Sequence, residues 1–191
     1  MIFFIADTHF FHANIISLCQ RPFGSVEEMN ETMIRNWNER VEEGDTVYVL
    51  GDLFFKCPDA EPMEAVLARL KGKKHLVVGN HDDSWMDKVN PRRHFLSVGL
   101  FQEVTASFGL LTLCHYPLLT WRHDQKSYMI HGHIHNNRNA DYWPLLQKRE
   151  RVLNAGVEVN DYRPVTFEEL LENNRRFKLL PRLPDNASDS P

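Results

Sequence analysis

Cysteine is scarce in this chain: Cys19, Cys57 and Cys114 are the three among 191 residues, and no CxxC pair is present. An odd number without framework spacing excludes a disulfide scaffold and is the usage of a reducing compartment. Cys114 closes an apolar run and reads as a small core residue. Positive charge is also in short supply, with 22 Lys and Arg against 26 Asp and Glu and a net charge of −4. Such a balance is not that of a protein built mainly to grip nucleic acid phosphates. No apolar stretch approaches a membrane span. The opening run Ile2 to Ala6 passes at once into Asp7 and His9, with no basic leader and no small-residue cleavage site, so it reads as a strand. A cytoplasmic location is expected. Repeats and interior linkers are missing too, so residues 1–180 are expected to form one domain. Residues 181–191, rich in Pro, Asn, Asp and Ser with little to bury, are expected to be a disordered tail.

What is present is a repeated local pattern. The run Leu76-Val77-Val78 ends in Gly79-Asn80-His81-Asp82, which puts a possible metal ligand beside a possible proton donor on one tight loop. Four other apolar runs end alike. Ile2–Ala6 leads to Asp7-Thr8-His9, Val47–Leu50 to Gly51-Asp52, Leu110–Cys114 to His115, and Tyr128–Ile130 to His131-Gly132-His133-Ile134-His135. Strands of an α/β sheet gather their carboxyl ends on one edge, so side chains released just past five strands converge on one site.

Helix signals lie between the runs. Ser25 to Glu28 reads as a capping box, followed by Met29, Met33, Ile34, Trp37 and Val41 at helical spacing until Gly44. Asp59 to Leu70 reads as a second helix, Ser84 to Val89 as a short one, and Thr166 to Glu169 as a second capping box opening a helix to about Phe177. Phe101–Thr105 and Leu110–Cys114 form an expected hairpin, Arg151–Ala155 a late strand, and Phe10–Phe23 an irregular segment. Lys71, Lys73 and Lys74 follow a helix C-terminus, where its dipole favours cations, and are read that way rather than as a phosphate patch.

The strand ends supply Asp7, His9, Asp52, Asn80, His115, His133 and His135. Two carboxylates, an amide and four imidazoles are too many for one tetrahedral zinc but suit two divalent ions sharing a carboxylate, with Asp52 as the natural bridge. A pair of ions roughly 3.5–4 Å apart clamps a phosphoryl group through its oxygens. Two carboxylates under two divalent cations leave a formal charge of about +2, which attracts an anionic ester. His81 adjoins a ligand on a rigid strand end and completes neither ion's shell, which suits a proton donor. His12 and Asn14 are placed to touch substrate or to make loop and cap contacts, His131 reads as a core histidine, and Asn154 as a hydrogen-bonding support.

In order, Asp7-x-His9, Gly51-Asp52, Gly79-Asn80-His81-Asp82, His115 and Gly132-His133-Ile134-His135 resemble the calcineurin-like metallophosphoesterase superfamily, in its small single-domain bacterial and phage members. The resemblance spans residues 1 to about 165. It implies an α/β fold in which two mixed β-sheets pack as a sandwich flanked by helices. It also implies one ion on Asp7, His9, Asp52 and His135 and the other on Asp52, Asn80, His115 and His133. His81 would protonate the leaving oxygen while a bridging hydroxide attacks phosphorus in line. Mn²⁺ is the expected cofactor, with Fe, Zn and Ni as alternatives. The superfamily's Ser/Thr protein phosphatases carry an aspartate and an arginine after Gly-Asp where this chain has Phe55 and Lys56, which counts against protein phosphatase activity. Asp82 is beside His81 but is not assigned the missing carboxylate's part. A small phosphate ester is the expected substrate: first a phosphodiester such as a cyclic nucleotide, behind it a phosphomonoester or a dinucleoside polyphosphate. A nuclease would want a positive groove that this acidic chain does not advertise. A non-catalytic binding module on the same fold would be expected to lose ligands, and here all seven and His81 are present.

Overall fold

The computed structural model describes residues 1–182, so all but the first two positions of the expected tail lie outside it. The elements run β1 (Ile2–Ile5), α1 (Ile15–Leu18), α2 (Val26–Asn38), β2 (Thr46–Val49), α3 (Ala60–Arg69), β3 (Lys73–Val77), α4 (Asp83–Met86), β4 (Phe95–Gly99), β5 (Phe101–Ala106), β6 (Gly109–Cys114), β7 (Tyr128–His131), α5 (Trp143–Gln147), β8 (Val152–Asn154) and α6 (Phe167–Leu179). None of the described helices is long and apolar enough to cross a membrane.

The strands form two four-stranded sheets, in the orders β1-β2-β3-β4 and β5-β6-β7-β8. The expectation of two mixed sheets needs one correction: the first sheet is parallel throughout, and only the second is mixed. The reason is connection length. β5 and β6 are joined by Ser107 and Phe108 alone, and a link that short can only make an antiparallel pair.

Strand alternation sorts the side chains into layers. Phe4, Ala6, Tyr48, Leu50 and Val77 of the first sheet meet Leu111, Leu113, Ile130 and Leu153 of the second in the central core. Phe3, Ile5, Val47, Val49 and Leu76 face the other way, onto Met29, Met33 and Trp37 of α2 and Met63, Val66 and Leu67 of α3. Beyond the second sheet, Met129 and Val152 pack on Trp143 and Leu146 of α5 and Phe177 of α6. Helix, sheet, sheet and helix make the four layers.

Of the two expected capping boxes, the one at α6 is complete and the one at α2 forms only in half. Thr166 and Glu169 exchange side-chain and backbone bonds at the start of α6. At α2, Ser25 Oγ accepts from Glu28 N at 3.1 Å, but the Glu28 carboxylate takes the Gly24 amide instead. That helix stops at Asn38, short of Gly44, and Val41 is buried beyond its end. Lys74 Nζ donates to the Leu70 and Gly72 carbonyls after α3, a helix-end contact as expected.

Candidate metal centre

Six strands, three from each sheet, end on one edge of the molecule. β1 releases Asp7 and His9, β2 releases Asp52, and β3 releases Asn80 and His81; β6 releases His115, β7 releases His133 and His135, and β8 ends at Asn154. The loops come closer than side chains at every position would permit. A Cβ on Gly51 would strike the His115 ring and the Gly79 backbone, and one on Gly79 would strike the Asp52 carboxylate. Five of the seven candidate ligands hold left-handed backbone: Asp7 (φ 57°), His9 (51°), Asp52 (54°), His133 (71°) and His135 (49°). Such residues cost on the order of 1 kcal/mol each and persist where surrounding contacts impose them, which is most common at functional sites.

The donor atoms converge on Asp52. Its Oδ2 stands 3.6 Å from His9 Nε2 and 3.4 Å from His115 Nε2, while its Oδ1 accepts the His81 amide at 2.9 Å. Asn80 Oδ1 lies 3.0 Å from His115 Nε2 and 2.9 Å from His133 Nδ1. Asp7 groups with His9 and His135, and also with Asp52 and His115, with the atoms of each trio within 4.8 Å of one another. Both Asp7 oxygens accept the His133 amide at 3.0 Å. All seven predicted ligands are therefore brought together.

The donor set fits cations. Both ring nitrogens of His9 are buried without a hydrogen-bond partner, an arrangement that is costly unless something else binds them. His115 Nδ1 is 2.7 Å from the Leu50 carbonyl, which only accepts, so in the neutral ring the Nε2 lone pair faces Asp52 and Asn80.

The site's electrostatics follow from burial and charge. Burial pushes the Asp7 carboxyl up to about 6. At Asp52 burial also works upward, but the hydrogen bond and charge of His115 outweigh it and bring the carboxyl down to about 2. Burial and the neighbouring His135 take His9 down to about 2. At His115 burial opposes charge, yet the bond to Asp52 raises it to about 9. At His135 burial is likewise overcome, chiefly by Asp7, and the ring rises to about 11.

The His81 ring sits 5.5 Å from that of His9 and 4.9 Å edge-on from Phe55. Asp82 does not orient it. That carboxylate is fully buried and accepts from the Asp52, Leu53 and Gly79 amides and from Trp85 Nε1, tying the β2 and β3 loops together. His12 stacks on Phe55 with ring centroids 3.6 Å apart, next to His9. Asn14 is exposed before α1 and makes no side-chain cap bond. His131 is buried with Nδ1 on the Gly132 carbonyl, a core histidine as expected. Asn154 Nδ2 donates to the His135 carbonyl at 2.8 Å, the supporting contact expected of it. Cys114 is half-buried rather than fully so.

Two residues at the site are not among the sequence candidates. Glu158 stands 2.9 Å from His135 Nδ1, and Arg21 pairs with Glu158 at 2.6 Å. Burial pushes the Glu158 carboxyl upward, but the Arg21 guanidinium overrides it and holds it down to about 2. Glu158 lies four positions past the end of β8, so the rule that found the other ligands, polar residues after an apolar run, extends to it.

Comparison with known proteins gives the family and the fold. The calcineurin-like phosphoesterase family profile matches residues 1–183. The chain is similar to the uncharacterized protein MJ1445 of Methanocaldococcus jannaschii, 34% identical over 184 residues, covering 96% of this chain and 97% of that one. It is similar to the gene 66 protein of Mycobacterium phage L5 at 26% identity, covering 81% and 85% of the two chains. Among solved structures it resembles the protein of unknown function AQ665 from Aquifex aeolicus, with a TM-score of 0.69 and 28% identity over 90% of this chain and 98% of that one.

Proposed function

The chain belongs to the calcineurin-like phosphoesterase family, and from that premise we propose that it is a metal-dependent hydrolase of small phosphodiesters, cyclic nucleotides among them. The observation that carries this reading is the position of Asp52 Oδ2, 3.6 Å and 3.4 Å from imidazole nitrogens of two different loops. On it, Asp7, His9, Asp52 and His135 would hold one divalent ion and Asp52, Asn80, His115 and His133 a second. Mn²⁺ is our choice, since mixed nitrogen and oxygen donors leave selection among Mn, Fe, Zn and Ni to availability. When bound, such ions supply positive charge opposite the ester oxygens and lower the pKa of water.

The chain's own groups do the rest. Asp7 and Asp52 are the carboxylates of the set, so two divalent ions leave a formal charge of about +2 for an anionic ester. Asn80 and His133 lie on the exposed side, leaving room for groups on both sides of phosphorus. His81 protonates the leaving oxygen, and His12, half-buried against Phe55, contacts the substrate. The free Cys19, Cys57 and Cys114 suit the cytoplasm.

The test is hydrolysis of bis(p-nitrophenyl) phosphate and p-nitrophenyl phosphate by protein stripped of metal and reloaded with Mn²⁺. Metal-dependent turnover with a higher kcat/KM for the diester is expected. Preference for the monoester would make the protein a phosphomonoesterase, and no metal-dependent turnover of either would overturn the reading.

A further inference from the structure

A buried ion pair lies behind the candidate ligands, and the chemistry above makes no use of it. Arg21 and Glu158 are 137 positions apart in sequence, and their side chains are 0% and 1% exposed. Glu158 Oε1 accepts Arg21 Nε at 3.0 Å and Nη2 at 2.6 Å, and stands 2.9 Å from His135 Nδ1. Arg21 also donates to the carbonyls of Asp7 (2.7 Å) and Thr8 (2.8 Å), on the loop whose Asp7 and His9 hold left-handed backbone. A carboxylate without a proton only accepts, so His135 Nδ1 is the donor and, in the neutral ring that can bind a metal, Nε2 is the nitrogen left with a lone pair.

We propose that Arg21 and Glu158 are a positioning pair for the ion held by Asp7, His9, Asp52 and His135. Glu158 selects the ring nitrogen that His135 presents, and Arg21 holds the Asp7 loop in register with it. The inference rests on the ligand assignment made above. Hydrogen bonding of a ligating imidazole to a carboxylate fixes its tautomer and raises its basicity. Because the guanidinium balances the carboxylate, this support adds no net charge to the centre and leaves its attraction for an anionic ester intact.

Two other roles fit less well. Cys19, His135 and Glu158 cluster closely enough to hold a cation of their own, but Oε1 is already taken by two guanidinium donors whose charge opposes one. A purely architectural part is disfavoured by the cost of the pair. Apolar side chains of similar size hold a fold as well as or better than a buried ion pair, and Glu158 Oε2 is buried with no hydrogen-bond partner at all.

The test compares the wild type with Glu158→Ala and Glu158→Gln, each purified, stripped of metal and titrated with Mn²⁺ by calorimetry. Bound metal is counted by elemental analysis, and the histidine tautomers of the Zn²⁺-loaded proteins are read by ¹⁵N NMR. Glu158→Ala is expected to bind one of its two ions about 10- to 100-fold more weakly and to lose the hydrogen-bonded Nδ1 proton of His135. Glu158→Gln keeps an acceptor oxygen and should recover that proton and part of the affinity, and it carries the test should the alanine variant fail to fold. Wild-type affinity for both ions together with an unchanged His135 signal in the alanine variant, or in the glutamine variant no recovery of the proton, would overturn the inference. A wild type that binds two ions but hydrolyses neither ester would overturn the proposed function alone.

Discussion

Asp52→Asn is expected to lose both ions and to lower kcat/KM at least about 100-fold, the upper end of what removing mere support for a metal ligand costs. The substitution is nearly isosteric and keeps an oxygen for the His81 amide, which Asp52 Oδ1 accepts at 2.9 Å. What it removes is charge at the point where the two halves of the site meet. The carboxyl is held down to about 2, so the lost species is the carboxylate at any physiological pH. Without it, two divalent cations face the Asp7 carboxylate alone. Elemental analysis of the dialysed variant checks this, and two ions retained per chain would remove Asp52 from the shared position.

His81→Ala is expected to keep its metal and to lose about 100- to 10,000-fold in rate on esters with poor leaving groups. The contact that ties residue 81 to the ligands is its backbone amide, which alanine retains. The ring itself touches Phe55 and the rim of His9, so its removal leaves the donor set standing. A nitrophenolate departs without a proton and an alkoxide does not. The measurement is therefore kcat/KM for a nitrophenyl and an alkyl diester in parallel. Equal losses on the two would show that His81 is not the acid.

The ligands were legible because each lies within a few residues of the end of an apolar run, and strand ends are readable one loop at a time. Partners that meet across the chain were not. Asp82 looks like a neighbour of His81 in sequence, yet its oxygens serve amides about thirty residues away at Asp52 and Leu53. Arg21 and Glu158 become a pair only when the segment after α1 and the segment after β8 are brought together. Arg21 shows no local signal that distinguishes it from a surface charge, and Glu158 has only its place a few residues past β8.

In the fold, α2 and α6 announce themselves by period and cap and α3 by its apolar period. β4, at Phe95–Gly99, is a sheet-edge strand whose residues past Phe95 are partly exposed, so it lacks a full apolar run. α5 is five residues long and contains Pro144, and α1 is four residues inside a segment read as irregular. Helices that short have too few turns to establish a period. Which strands share a sheet is a matter of non-local pairing, and it was the resemblance to a family, not the periodicity, that implied two sheets.

The most direct test of the account is a calorimetric titration of metal-stripped protein with Mn²⁺, run at several pH values and in buffers of different ionisation enthalpy. Two ions per chain are predicted. His115, raised to about 9, and His135, raised to about 11, carry protons at neutral pH and must release them to act as ligands. Each ion then displaces a proton, and its affinity should rise with pH by up to about tenfold per unit until those values are passed. A chain that binds one ion or none would contradict the assignment of these strand ends as a dinuclear centre, whereas two ions bound without proton release would show that His115 and His135 are already neutral in the metal-free protein.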